Sequence, residues 1–429
     1  MFDLAIMNAE HNPAASPTVA LAGWQFSYGW IVVGVLFLTS VLIQGTALGG
    51  ITMFDDRVLD ALGVSRGALK FRDSIYIVST ALACLGIGWV CERIGIRAVM
   101  VIGLALLCVF FLGYSAVQSV YVIYILHALL GCAFATAHVV VTVIVFSRWF
   151  QGEDPRRGIA LGISAAGASF GAVVLSQLIA LGLGQLPWRE LMVALIALPV
   201  LLMPVVWVLV RPPEPTAEDP WGIAVRRAGQ QVGFSFSSVL NLDGALLLLS
   251  IVPIFYVSSC ISSHVVLLLR DQGLSLSVAA GGVGSMYLFG LIGKGSSGFL
   301  LLRMRLGVAW AMFSVAALAG SVLLALFPSS AYSPAIALIG LGWGGCFPLA
   351  QLRIADQYPG PGLARVLGVF VLCDGVGAAL GAWLPGFLFD GLGSYRVALM
   401  LNGAFLAIGL VAFLTLLRRR RDIVVVPNT

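Results

Sequence analysis

The sequence predicts an all-α integral membrane protein with twelve transmembrane helices in two pseudo-symmetric six-helix bundles. Three observations predict it. First, the 429 residues are 60% hydrophobic and only 10% charged, with a mean hydropathy of +1.03, whereas soluble domains carry roughly 25% charged residues. Second, apolar runs of about 20 residues recur along the whole length, each long enough to cross a bilayer as a helix that satisfies its own backbone groups. Third, the halves repeat. Gly63-Val-Ser recurs as Gly273-Leu-Ser, 210 residues on, and Pro187-Trp188-Arg189 recurs as Ser394-Tyr395-Arg396, 207 residues on. Arg157-Gly-Ile-Ala-Leu-Gly162 recurs as Ala364-Arg365-Val-Leu-Gly368. Paired bundles of this kind are the usual build of a secondary transporter, with a site between the halves near the bilayer midplane.

The first six spans are expected at Trp30–Met53, Ser74–Cys91, Ala98–Val117, Val120–Phe146, Gly158–Leu183 and Glu190–Val210. Six more are expected at Ala245–Leu269, Leu276–Leu302, Leu306–Phe327, Pro334–Leu352, Ala364–Phe389 and Val397–Leu417. The domain plan is therefore a tail at 1–29, a bundle at 30–210, a linker at 211–244, a second bundle at 245–417 and a tail at 418–429. The linker opens with Arg211-Pro-Pro-Glu-Pro-Thr-Ala-Glu-Asp-Pro220, whose prolines stop the helix and whose charges demand water. Met1 to Tyr28 holds no Lys or Arg, so it lacks the charged start of a secretory signal and reads as a cytoplasmic tail.

Orientation follows from the basic residues. With the amino terminus inside, 16 of the 24 Lys and Arg fall in cytoplasmic loops and tails, 7 fall outside, and Lys294 lies within the membrane. This bias predicts both termini in the cytoplasm of a protein of the inner, or plasma, membrane. The run Arg418 to Arg421 anchors the last span at the inner surface, facing anionic lipid. The seven Cys residues lie in or beside apolar runs with no metal spacing, so packing is their predicted role. Glycine pairs occur inside apolar helices, without the strand–turn–helix context of a phosphate loop, and no nucleophile–base pair stands out. The sequence accordingly predicts no enzyme, no cofactor, no metal site and no nucleic-acid partner. A non-transporting sensor on the same scaffold is the remaining alternative.

The loop after span two reads Gly88-Trp-Val-Cys-Glu92-Arg93-Ile-Gly95-Ile-Arg97. It resembles the signature of the major facilitator superfamily, Gly-x-x-x-Asp-Arg-x-Gly-Arg-Arg, with Glu92 for the Asp and Ile96 for the first Arg of the closing pair. The resemblance implies a cytoplasmic gate built by Gly88, Glu92, Arg93, Gly95 and Arg97. The second copy, Gly298-Phe-Leu-Leu-Leu302-Arg303, has lost its acid, so such a gate is lopsided.

Within that superfamily the chain resembles the monocarboxylate-transporter-like and oxalate/formate-antiporter-like group. The matching stretches are Tyr28-Gly29-Trp30, Gly63-Val-Ser-Arg66, Arg148-Trp149-Phe150 with Arg156-Arg157-Gly-Ile-Ala-Leu-Gly162, and His264 with Asp271-Gln-Gly-Leu-Ser275. Phe389-Asp390-Gly-Leu-Gly-Ser-Tyr395-Arg396 completes the set. The group's monocarboxylate carriers place a lysine on span one, where this chain has apolar residues such as Leu48. They also carry an Asp four residues before the basic residue of span eight, and that position is Gly290 here. Lys294 stands where the basic residue would be. The lactate–proton mechanism of those carriers therefore does not transfer residue by residue.

Two charges sit deep in apolar stretches, Lys294 on span eight and Asp374 on span eleven. A charge at such depth costs a few kcal/mol unless paired or facing an aqueous cavity, which makes each a functional candidate. Both, with His138 on span four, fall about 12 to 15 Å from the inner surface at about 1.5 Å per residue. Lys294 is read as the countercharge of an anionic substrate, with Tyr287 on its helix face and His138 and His264 as further substrate-binding candidates. A structural Lys294–Asp374 pair is the alternative. Asp374 is read as a proton carrier, although Gly377, Ala378 and Gly381 beside it form a small-residue stripe suited to helix packing. His127 shares a face of span four with His138 and stands where many proton-coupled members of the superfamily have Arg, four residues before Gly131; it is the second proton-coupling candidate, since histidine titrates near neutral pH. Lys70, Arg72 and Asp73 read as solvated charges at the outer start of span two.

The function predicted from these residues is secondary active transport of a small organic anion, a carboxylate, coupled to protons and carried out by a monomer in the lipid bilayer. Export of a hydrophobic or weakly charged compound, or organic-anion exchange, is the alternative.

Overall fold

The structure, a computed structural model of the chain, describes residues 18–21, 24–137, 139–150, 156–211, 241–358 and 363–424. It is helical throughout, apart from a short antiparallel ribbon, Thr18–Leu21 with Trp24–Ser27, that precedes span one.

Among the described residues eleven helical stretches are long and apolar enough to cross a membrane, and the shorter apolar helix Val120–Thr136 begins the remaining span that the apolar runs predict. Span one is composite: an α-helix Gly29–Gly45, a π turn Thr46–Gly50, a 3₁₀ turn Ile51–Phe54 and a second α-helix Asp55–Leu62. Span two is Arg66–Ile94, span three Ile96–Ser115, and span four the two helices Val120–Thr136 and Val139–Trp149. Span five is Arg156–Leu183, and span six is Trp188–Leu195 continued by Ala197–Leu209. Spans seven to nine are Leu242–Asp271, Leu276–Leu301 and Leu306–Leu326. Spans ten to twelve are Tyr332–Gln357, Leu363–Leu392 and Arg396–Val424. Most of the linker, residues 212–240, lies outside the described residues.

The internal repeat is visible in the backbone. Gly63 (φ 60°) and Gly273 (φ 76°) each turn the chain through the left-handed region that favours glycine. Two residues later Ser65 and Ser275 cap spans two and eight, their hydroxyls accepting from the backbone N–H groups of Ala68 and Val278. The packing repeats too. Span one lies against span five and span two against span four, while span seven lies against span eleven and span eight against span ten. Spans three and six, and nine and twelve, flank these groups. The bundles meet where span two packs on span eleven and span five on span eight. Close helix approach explains part of the glycine content: a Cβ on Gly344 of span ten would stand 2.0 Å from the carbonyl oxygen of Gly290 on span eight. Large apolar side chains such as Leu85 and Leu302 point outward, 85% and 82% exposed, as a lipid-facing surface requires.

Two boundaries differ from the sequence expectation for one physical reason. Span one runs to Leu62 rather than Met53, and span two starts at Arg66 rather than Ser74. Four of the charges between those limits, Asp55, Lys70, Arg72 and Asp73, do not end the helices, because they neutralise one another inside the bundle. Lys70, Arg72 and Asp73 are therefore not solvated helix-end charges; they are 0%, 0% and 5% exposed. The last helix also continues past residue 417 through the Arg418–Arg421 run, where Arg419 Nε meets Asp243 Oδ1 at 3.0 Å.

Candidate functional site

Lys294 stands on span eight between Gly290 and Ser297. Gly290 and Gly293 of the same helix press against Trp343 and the Leu341 carbonyl of span ten, which brings the Lys294 side chain over span ten's aromatic rings. Its Nζ lies 4.5 Å from the centre of the Trp343 ring and 5.4 Å from that of Phe347. Phe347 in turn packs on Phe255 of span seven, and Trp343 edge-on against Tyr287 of span eight, with ring centres 5.9 and 6.0 Å apart. An ammonium over π faces is held by the ring quadrupole, but it gains no countercharge. Among the described residues no carboxylate comes within 4.0 Å of Lys294.

Asp374 is half-buried on span eleven, and its Oδ1 is shut away from solvent without a hydrogen-bond partner among the described residues. Gly377 and Gly381, one and two turns on, press against Val252 and the Tyr256 carbonyl of span seven. The stripe beside Asp374 thus does pack tightly, and the carboxylate at its end is left uncommitted. The structure does not bring Lys294 and Asp374 together as an ion pair.

The remaining sequence candidates fall into different settings. Tyr287 reaches across the bundle interface and donates from its hydroxyl to the Leu48 carbonyl oxygen at 3.2 Å, in the π turn of span one. His264 of span seven is buried, with Nδ1 3.0 Å from the Tyr395 hydroxyl and Nε2 2.8 Å from the Ala382 carbonyl oxygen. The carbonyl can only accept, so Nε2 carries the proton and Nδ1 accepts from Tyr395; the ring ties span seven to spans eleven and twelve. His127 is fully buried on span four between Phe110 and Tyr114. Its Nδ1 donates to the Ile123 carbonyl oxygen at 2.9 Å, and its Nε2 has no partner among the described residues. His138 lies outside the described residues.

In the gate motif, Gly88 lies within span two and Gly95 ends that span at φ 84°. The Glu92 side chain is outside the described residues. The Arg93 guanidinium covers the Trp89 ring at 4.2 Å, and Arg97 Nε donates to the Val210 carbonyl oxygen at the end of span six. Both contacts stay within the first bundle. A cleft of about 310 Å³ beside them is lined by Arg97, Trp149, Trp207 and Arg211.

The densest polar constellation is one the sequence analysis set aside. Asp55, at the exit of the irregular turns of span one, accepts from Lys70 Nζ at 2.5 Å and from Arg72 Nη2. Arg72 also donates to the Tyr114 hydroxyl at 2.7 Å and to Asp73 Oδ1 at 3.2 Å, and Lys70 Nζ stands 3.5 Å from Asp73 Oδ2. Two cations and two carboxylates from spans one and two are thus closed into one desolvated group, with His127 within electrostatic reach. The sequence signal was present: Lys70 and Asp73, three residues apart, share one face of span two, where each can neutralise the other.

Just beyond this group the bundles are joined, at the end that the Lys and Arg count assigns to the outside. Arg66 grips Asp271 with two bonds of 2.6 Å. Asp390 of span eleven accepts from the backbone N–H groups of Arg66 and Gly67 at 2.9 and 2.8 Å, an anion seated on the start of a helix. Arg270 meets Asp56 at 2.8 Å, and the Ser74 hydroxyl donates to the Ala379 carbonyl oxygen at 2.6 Å. With Tyr287 to Leu48, these polar contacts close that end of the interface.

Comparison with known proteins agrees with this architecture. The chain is 25% identical over 371 residues to the uncharacterized MFS-type transporter YcxA of Bacillus subtilis, covering 83% of this chain and 88% of the relative. It is 25% identical over 402 residues to monocarboxylate transporter 13 of Rattus norvegicus, covering 92% and 89%. In fold it is similar to a bacterial homologue of the human lysosomal transporter Spinster, in an inward-facing and occupied conformation, at a TM-score of 0.72, 16% identity and 91% and 97% coverage. It is also similar to the nucleoside transporter NupG, at a TM-score of 0.70, 12% identity and 91% and 100% coverage. The sequence pattern of the Major Facilitator Superfamily matches residues 19–361 and 335–428. With twelve spans, two repeated bundles and a joined interface between them, the chain belongs to the Major Facilitator Superfamily, whose members are membrane transporters and not enzymes.

Proposed function

We propose that this transporter moves a small organic anion, a carboxylate, across the cytoplasmic membrane by alternating access, coupled to protons. The observation that carries the reading is Lys294: a cation at membrane depth, resting on Trp343 and Phe347 with no carboxylate beside it among the described residues. In a low-dielectric interior an unpaired ammonium attracts an anion far more strongly than in water. The aromatic rings hold it in place without neutralising it, so its charge stays available to the cargo. The similarity to monocarboxylate transporter 13 supports the same cargo class. Asp374, whose Oδ1 lacks a partner among the described residues, is the coupling acid in this reading, with His127 as a second titrating group; Tyr287, His264 and His138 complete the substrate-binding set. Glu92, Arg93 and Arg97 belong to the gate at the cytoplasmic end, both termini are cytoplasmic, and the working unit is a monomer.

Counterflow in proteoliposomes tests the proposal. Radiolabelled acetate, lactate, pyruvate, oxalate and benzoate are presented to vesicles preloaded with the same unlabelled acid. Saturable exchange of at least one of them, inhibited by the others, is the expected result. Saturable uptake of lipophilic cations with no response to any carboxylate would overturn it in favour of export of a hydrophobic or weakly charged compound.

A further inference from the structure

We propose that the cleft at the end of span six binds an anionic phospholipid, its phosphate between Arg97 and Arg211 and its acyl chains along span six. The site follows from how span six ends. A helix leaves its last carbonyl groups without internal partners, and here three different elements supply donors to three consecutive carbonyls. The Tyr28 hydroxyl, at the start of span one, donates to the Leu209 carbonyl oxygen at 3.0 Å. Arg97 Nε of span three donates to that of Val210, and Trp149 Nε1 of span four to that of Arg211 at 3.0 Å. These bonds fix the point where the linker leaves the first bundle, and they set two guanidinium groups at one opening.

Each arginine engages a carbonyl through its Nε alone. Arg97 holds Val210, and Arg211 Nε donates to the Val208 carbonyl oxygen at 3.2 Å. A guanidinium carries five N–H donors, so the Nη groups of both remain without a hydrogen-bond partner among the described residues. Both lie within electrostatic reach of the Tyr28 hydroxyl, which sets them near each other. Among the described residues that line the cleft none is an acid. The second bundle ends differently: Arg419 of span twelve is closed on Asp243 at 3.0 Å. Two guanidinium forks without a countercharge, on a cavity of about 310 Å³, suit a phosphate, which accepts their paired bonds.

The surroundings select a lipid over a free phosphate. Trp207 and Ile94, which line the same cleft, are 56% and 48% exposed, so its wall continues onto the lipid-facing surface. A tryptophan at the end of a span sits at headgroup level. Basic pockets between spans on the cytoplasmic side hold anionic headgroups, and the Lys and Arg count assigns this end to the cytoplasm. A free phosphate would leave the apolar wall bare; a phospholipid covers both parts. Arg97 belongs to the gate motif, yet its contact is with span six and not with the second bundle. The lipid site is independent of the cargo.

Native mass spectrometry tests it, on the full-length protein purified in detergent and titrated with phosphatidylglycerol or phosphatidylcholine of the same acyl chains. One phosphatidylglycerol is expected to bind about 25-fold more tightly than phosphatidylcholine, about five-fold for each arginine. Arg211→Gln, a substitution at an exposed site, should weaken phosphatidylglycerol about five-fold, and Arg97→Gln/Arg211→Gln should bring it to the level of phosphatidylcholine. Arg303→Gln/Arg305→Gln, the same loss of charge at the turn between spans eight and nine, should leave it unchanged. Glycerol phosphate, a headgroup without chains, should not displace the lipid. Equal affinity for the two lipids, wild-type binding by the Arg211→Gln protein, or an equal loss in the Arg303→Gln/Arg305→Gln protein would overturn the proposal. Displacement by glycerol phosphate would overturn it too, since the ligand would then be a soluble phosphate. The single Arg211→Gln variant decides the matter even where loss of the Arg97 bond to Val210 unfolds the double one.

Discussion

The two bundles keep their buried charges in opposite ways. In the first, each cation of Lys70 and Arg72 stands within 3.5 Å of both Asp55 and Asp73, and the four charges sum to zero. In the second, Lys294 rests on aromatic rings and Asp374 ends a glycine stripe, each without a countercharge among the described residues. A closed group of this kind is structural in its energetics, since removing one member strands the others. An isolated charge strands nothing when it is removed, yet its presence at depth is unfavourable, so its retention points to cargo or proton. Charges that hold the bundle are thereby separated from charges that act on what passes through.

The largest effect is expected from breaking the closed group at its centre. Asp55→Ala leaves Lys70 and Arg72 with only Asp73 and should cost about 3–5 kcal/mol, read as a loss of folded protein on heating in detergent. The paired change Lys70→Met/Asp73→Asn, which leaves Asp55 with Arg72, should cost far less. Equal stability of Asp55→Ala and wild type would remove the structural half of the comparison.

Lys294→Ala should leave thermal stability near that of wild type and reduce carboxylate affinity on the order of 10²-fold. Lys294→Arg should retain part of it, because the charge is kept while its geometry changes. Equilibrium binding to the purified protein measures both. A destabilised Lys294→Ala protein with normal affinity would show the lysine to be a packing element.

Because Lys294 and Asp374 are not paired, the double variant Lys294→Ala/Asp374→Ala should not regain transport. Asp374→Asn alone should lose accumulation driven by a pH gradient and keep carboxylate exchange, since exchange need not release the proton. Full transport by the double variant would make the two a structural pair.

The smallest effect is expected at the outer joint. Its ion pairs are partly exposed, and such pairs contribute about 1 kcal/mol or less. Asp271→Asn should raise the labelling rate of a cysteine placed at Ser74 by no more than about five-fold, in a background lacking the seven native Cys. High salt should narrow the difference by screening. A labelling rate insensitive to both would show that packing of span two on span eleven, and not charge, holds that end shut.

Much of this was legible in the chain. The twelve spans, the repeat and the depth of Lys294 and Asp374 follow from local hydropathy, and the caps at Ser65 and Ser275 are consistent with the repeated Gly-x-Ser. The buried group was misread because its charges look like a helix end: four polar side chains between residues 66 and 73 interrupt the apolar run. Their partner Asp55 lies on another span, beyond a turn that hydropathy does not show. His264 is a candidate by residue type alone, and only the tertiary structure shows its two nitrogens engaged by Tyr395 and Ala382.

The sequence by itself determined that the chain crosses a membrane twelve times in two related halves, because backbone satisfaction in lipid is a local requirement that each apolar run meets alone. The tertiary structure alone decided which charges are neutralised. Asp55, Arg72, Tyr114 and His127 come from four different spans, and an ion pair depends on distances of a few ångströms that no single helix fixes.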